Sequence, residues 1–156
     1  MSAEFHGLPC WYELSTSDPD AAQGFYGGLL GWSWASAGMP GMDYRLASVG
    51  GKMVAGMMKG EAGGPPPMWT IYYAAGDIDA TAAAMTADGA TSIVPPTDIP
   101  GTGRFSLLAD PQGAVFGLLQ PLPMENDSSA GGAFNQQKTG HGNWHELMTR
   151  DAKAAL

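Results

Sequence analysis

The chain has 156 residues, 44% of them hydrophobic and 14% charged, and a formal net charge of -8. One domain of that length buries about 70% of its unfolded surface, while seven Lys and Arg against fifteen acids exclude nucleic-acid binding, which needs clustered cations. A single cysteine excludes an intrachain disulfide and a Cys-rich zinc centre, and no apolar run approaches the roughly 20 residues of a membrane span.

No basic stretch followed by an apolar run opens the sequence, so a cytoplasmic protein is expected. Ten Met and five Trp beside so few charges point to an apolar pocket or interface, or equally to a Met-rich core.

In chain order, Cys10 to Thr16 alternates as a strand, and Asp18-Pro19-Asp20 supplies an N-cap, a first-turn Pro and a first-turn acid. The helix carries Ala21, Ala22, Phe25, Tyr26, Leu29 and Leu30 and closes at Gly31. Strands follow at Trp32 to Ala35, Tyr44 to Val49 and Lys52 to Met58, the last two joined at Gly50-Gly51. Glu61 to Pro67 is a linker, and the same order then recurs. Met68 to Ala74 is a strand, Asp77-Ile78-Asp79 opens a helix to about Asp88, and strands follow at Thr91 to Val94, Arg104 to Ala109 and Ala114 to Gln120. Asp110-Pro111-Gln112-Gly113 is the last turn. Two βαβββ units are expected at 8–60 and 68–120, within one domain over 8–120.

The sequence also repeats itself. Gly7 to Ala22 and Gly140 to Ala155 align without a gap and share Gly7/Gly140, Trp11/Trp144, Glu13/Glu146, Leu14/Leu147, Thr16/Thr149, Asp18/Asp151, Ala21/Ala154 and Ala22/Ala155. Self-similarity of this kind marks a duplicated structural unit. Residues 121–139 are expected to be a flexible linker, and 140–156 the opening strand and helix of a further repeat, either the front of a longer tandem protein or a segment with another use.

Together, Trp11-Tyr12-Glu13-Leu14, Asp18, Phe25-Tyr26, Gly31-Trp32, Trp69, Asp77-Ile78-Asp79, Gly89 and Asp110-Pro111-Gln112-Gly113-Ala114 resemble the vicinal oxygen chelate superfamily of glyoxalases, bleomycin-resistance proteins and extradiol dioxygenases. The resemblance is closest to tandem glyoxalase-like bacterial proteins. It implies an α+β fold of paired βαβββ units, with an eight-stranded mixed sheet cupped around a ligand and helices outside. Metal-dependent members place a His seven residues before each helix-capping Asp, and a Glu seven residues after the Asp of the DPxG turn. Those positions fall here on Trp11, Thr70 and Gly117, with the remaining one near Gly56. None carries an imidazole or carboxylate, so no metal and no cofactor is expected. The Gly runs also lack a nucleotide-binding pattern.

Glu13 follows Trp11 by two residues, so both project from one strand face. That makes Glu13 the candidate catalytic base or ligand anchor, although its repetition as Glu146 suits a structural requirement equally well. Candidate ligand-binding residues are Trp11, Met57, Thr70, Tyr72, Arg104 and Phe116. The aromatic and thioether groups would suit a flat apolar ligand. Tyr72 offers a hydroxyl, and Arg104 offers a fork for a carboxylate or phosphate. The plain alternatives are a wall tyrosine, a salt-bridged Arg at a strand end, and core packing for Met57 and Phe116.

The expected function is metal-free binding of a small, largely apolar organic molecule. One rival is a metal-dependent lyase, isomerase or dioxygenase with relocated ligands such as Glu13 and the histidines His141 and His145. The other is an assembly module using the tail strand, in a homodimer or against a second domain of the same type.

Overall fold

The computed structural model describes residues 6–122 and 132–155. Its elements are β1 (Pro9–Thr16), α1 (Pro19–Leu30), β2 (Ser33–Ser36), β3 (Tyr44–Val49), β4 (Lys52–Lys59), β5 (Met68–Ala74), α2 (Ile78–Ala87), β6 (Thr91–Ile99), β7 (Gly103–Ala109) and β8 (Val115–Pro121). The fold is α+β, one open mixed sheet with strand order β2-β3-β4-β1-β5-β8-β7-β6. Each βαβββ repeat closes with its last strand parallel to its first: β1 with β4, and β5 with β8. Two compact units result among the described residues, one built on 10–71 and 132–143, the other on 6–9, 72–122 and 144–155.

In the unit on residues 10–71, the Asp18 carboxylate accepts the Ala21 N–H at 3.0 Å and Pro19 occupies the first turn of α1. These satisfy the donors a helix start leaves over. Gly31, in the left-handed region at φ 69°, ends the helix. Gly50 and Gly51 both have positive φ, as a two-residue hairpin turn requires. The core gathers Ala47, Val54 and Ala55 with Tyr12, Trp32, Trp34, Val49 and Trp69 around it. From α1 the contact is made by Tyr26, whose hydroxyl accepts from Trp69 Nε1 at 2.9 Å. Phe25 and Leu29 of the same helix remain exposed.

In the other unit, Asp77 caps α2 by accepting the Ala80 N–H. Ile78 and Ala82 bury that helix against Ala75, Leu108 and Leu118. β6 extends to Ile99, past the stop expected at Val94. It is an outer strand, where Pro95 and Pro96 are tolerated because no ladder hydrogen bond is required of their nitrogens, and register shifts flank them.

Of the segment 121–139 expected as a linker, residues 123–131 lie outside the described residues, and 132–139, together with 140–143 of the expected repeat segment, lie on the first unit. Ala133 is fully buried, and Trp32 Nε1 donates to the Gly140 carbonyl at 2.7 Å. Gly142 sits against the Tyr12 ring, where any Cβ would overlap the phenol. Gly7 and Gly140, matched in the repeat, share the left-handed backbone at φ 81° and 76°.

The repeat is real in geometry up to a point. Thr149 and Asp151 reproduce Thr16 and Asp18. Asp151 Oδ1 accepts from Ala154 N at 3.0 Å as Asp18 Oδ1 does from Ala21 N, and Ala155 N donates to the Asp151 carbonyl as Ala22 N does to that of Asp18. The strand half is not reproduced, since residues 144–150 form no strand. β1 draws its ladder from β4, which pairs Leu14 with Met57 and leaves Leu14 only 5% exposed; Leu147, its counterpart, is 51% exposed. The tail is held through Gln112 instead, whose Oε1 accepts from Thr149 Oγ1 and Asp151 N while its Nε2 donates to the Asp151 carbonyl.

Candidate ligand site

Cross-strand register sorts the candidates by face. In the first unit Glu13 pairs with Gly56, Gly56 with Leu46, and Leu46 with Ala35, a single row across four strands. The next row joins Ser15, Met58 and Tyr44. Trp11 shares the Glu13 side by alternation. Trp11, Glu13, Tyr44, Leu46 and Met58 are all half-buried, whereas Leu14, Ala47, Ala55 and Met57, one residue out of phase, are fully or nearly fully buried. The Glu13 face is therefore the partly open one, and Met57 lies on the core side with Leu14.

A short hydrogen-bond chain crosses this face. Trp11 Nε1 donates to the Tyr44 hydroxyl at 3.3 Å, and that hydroxyl donates to Glu13 Oε2 at 2.8 Å. The Tyr44 ring reaches Glu13 by leaning over Gly56, where a Cβ would overlap the hydroxyl and ring carbons. Burial, and then the Glu13 carboxylate, push the Tyr44 phenol well above its ordinary range, so it stays a donor. Tyr44 is the residue of this face that the sequence reading missed.

The second unit repeats the device. Tyr72 pairs with Gly117 in parallel register, and its ring fills the space a Gly117 side chain would take. Tyr72 is 4% exposed, beside Leu107, which pairs with Gly117 from the other side. Thr70 and Tyr72 alternate to one side of β5, and both are buried. Trp69 and Tyr73 take the other side, against Tyr26 and Phe116 respectively.

Arg104 and Phe116 belong to the α2 side. Arg104 is ion-paired with Asp79 in the first turn of α2 and with Asp98 at 2.8 Å, so its fork is held by protein carboxylates. Arg45 does the same in the first unit, joining Asp20 of α1 at 2.7 Å and Asp43 at 2.8 Å. Phe116 stacks edge-on to Tyr73 at 6.3 Å and packs against the Ile78–Leu118 core.

These residues do not fit the divalent ion that the fold's metal-dependent relatives hold. Gly56 and Gly117 supply no ligand atom, tyrosine rings occupy the room beside both, and an indole N–H bonded to Tyr44 cannot donate a lone pair. Among the described residues no three His, Cys, Asp or Glu side chains converge, the trio of Glu13, His141 and His145 included. Cys10 is no nucleophile at ordinary pH, because burial pushes its thiol up to about 12. Its folded pKa lies above the unfolded value, so stability due to this group is full below about pH 9 and declines as pH rises toward 12. Alkylation by iodoacetamide at pH 8 should therefore be slow in the native protein and fast in denaturant; equal rates would contradict the buried thiol.

Paired βαβββ repeats with Asp-capped helices and first strands parallel to last strands define the structural class. The chain belongs to the Glyoxalase/Bleomycin resistance protein/Dioxygenase superfamily, whose family profile matches residues 10–118. It is 42% identical over 120 residues to CFP32 of Mycobacterium tuberculosis and Mycobacterium bovis, a glyoxylase candidate by name, covering 76% of this chain and 46% of that one. It is 32% identical over 164 residues to the anthracycline biosynthesis protein DauV of a Streptomyces species, covering 96% and 58% respectively. The chain thus spans about half the length of the curated relatives it matches. Methylmalonyl-CoA epimerase from M. tuberculosis shares the fold at a TM-score of 0.59 and 17% identity, covering 79% of this chain and 94% of that one. The Mn(II)-bound glyoxalase from Novosphingobium aromaticivorans does so at 0.55 and 18%, covering 79% and 43%. No helix among the described residues is long and apolar enough to cross a membrane.

Proposed function

We propose that this domain binds a small, largely apolar organic molecule without a metal ion, on the sheet face carrying Trp11, Glu13 and Tyr44. The observation that supports it is the hydrogen-bond chain over Gly56, an aromatic pair and a carboxylate on a half-buried face, near a position to which the family resemblance assigns a metal ligand. Leu46 and Met58 extend the apolar surface. Glu13 anchors the molecule and is the group there able to take a proton from it. Relatives bear names for glyoxylase and for anthracycline biosynthesis, in keeping with an organic ligand. The setting is cytoplasmic, in keeping with a single cysteine that is buried and in no disulfide.

Equilibrium dialysis of the full chain against 2-naphthol tests the reading. Saturable one-to-one binding is expected, weakened about tenfold or more by Trp11→Ala. Binding that does not saturate, or that Trp11→Ala leaves unchanged, would contradict it.

A further inference from the structure

The connection between β2 and β3 carries thioethers where a turn ordinarily carries polar side chains. Residues 38–43 are all exposed, Met39 and Met42 among them, the latter at 47%. The base of the connection is fixed. Ala37 N donates to the Tyr44 carbonyl at 2.9 Å, which carries the ladder that pairs Ser36 with Arg45 on to Tyr44. At the tip, Met42 N donates to the Met39 carbonyl at 3.3 Å across Pro40 and Gly41. Gly41, at φ 76°, supplies the left-handed residue that such a turn needs. The two thioethers thus stand at the ends of one tight turn, directly before Tyr44.

The side taken by Met42 follows from its neighbour. Asp43 accepts from Arg45 Nε at 3.0 Å and Nη2 at 2.8 Å, and Arg45 reaches on to Asp20 of α1. Asp43 is therefore turned to the α1 side. Met42 and Tyr44, on either hand of it, are turned the other way, toward the face where the Tyr44 hydroxyl meets Glu13. Met58 pairs with Tyr44 from β4 and lies half-buried on that same face. Tyr44 has one thioether across the ladder and another along the chain.

Methionine is unbranched and polarizable, moulds itself to irregular surfaces, and makes favourable contacts at the edge of an aromatic ring. A flat molecule lying against Trp11 and Tyr44 would present its edge to Met42 and Met58. We infer that the turn at 39–42 is the adaptable wall of the binding face, with Met42 and Met58 gripping the edge of an aromatic ligand. The inference rests on the reading that the Glu13 face is the binding face, and it adds a wall and a ligand class. Met42 is then a binding residue in a segment that shifts with the width of the ligand.

The full chain with carbon-13 in its methionine methyl groups, titrated with 2-naphthol and followed by NMR, tests the inference. Single Met→Leu substitutions assign the resonances. The Met42 and Met58 methyl signals should both move, saturating at the same ligand concentration, while Met148, 90% exposed in the tail, stays in place. Movement of Met58 without Met42 overturns the wall and leaves the binding face standing. Saturable binding that moves neither signal, or no binding at all, overturns the face as well. Met42→Ser, a change at an exposed position, should weaken 2-naphthol about fivefold or more without altering the unfolding midpoint. Unchanged affinity in that variant overturns the wall. The saturated alcohol trans-2-decalol, of similar size, should bind about fivefold more weakly than 2-naphthol, and equal binding overturns the aromatic class.

Discussion

Gly117→Ala should destabilise the protein by about 1–3 kcal/mol, the cost of forcing a group into a filled site. A Gly-to-Ala change where the backbone permits it ordinarily stabilises by about 0.4–1 kcal/mol, and Gly117 is not among the glycines with positive φ. The sign reverses because the new Cβ would fall inside the ring of Tyr72, which is 4% exposed and has nowhere to go. The cycle with Tyr72→Ala isolates this cause. Once the ring is gone, Gly117→Ala should cost almost nothing, giving a coupling of about 1–3 kcal/mol in chemical denaturation. If the full cost persists without the ring, the glycine is required for its backbone, and the substitution of aromatic ring for ligand side chain is not what holds this strand pair.

Tyr44→Phe should cost about 1–2 kcal/mol, since it removes two hydrogen bonds, one of them to a carboxylate, while keeping the ring over Gly56. The half-buried setting holds the figure to that range, because water can reach Glu13 and Trp11 in the variant. Glu13→Gln combined with Tyr44→Phe should cost less than the two single changes summed, by about 1 kcal/mol. Simple additivity would show that the contact between the two residues contributes nothing to stability.

The capping and turn chemistry was legible because it is local. Asp18, Asp77, Gly31 and the Gly50-Gly51 pair specify their elements within four residues, and the folded chain uses each as the sequence implies. Alternation likewise placed Trp11 with Glu13. Tyr44 escaped because it reaches Glu13 from a position 31 residues away, by a contact that depends on a side chain Gly56 does not have. An absent side chain leaves no mark in a residue pattern. Arg104 and Phe116 show the other limit: alternation tells which residues share a face but not which face looks toward α2, and that depends on the register of β7 with β8. A hint was available, since Asp20 and Asp79 stand in equivalent first turns and Arg45 and Arg104 on following strands, the geometry of a strand-to-helix tie in both repeats. The packed segment at 132–143 was hidden for the same reason as Tyr44, because its seat is the space at Gly142 that the Tyr12 ring requires.

The central claim is that tyrosine rings stand beside glycines at Gly56 and Gly117, positions for which the family resemblance implies metal ligands. Elemental analysis of the full chain, after equilibration with nickel, zinc, manganese and ferrous iron and removal of the excess, tests it most directly. The account predicts no stoichiometric uptake of any of the four. One metal ion per chain, retained through gel filtration and unaffected by changes at surface histidines, would contradict it.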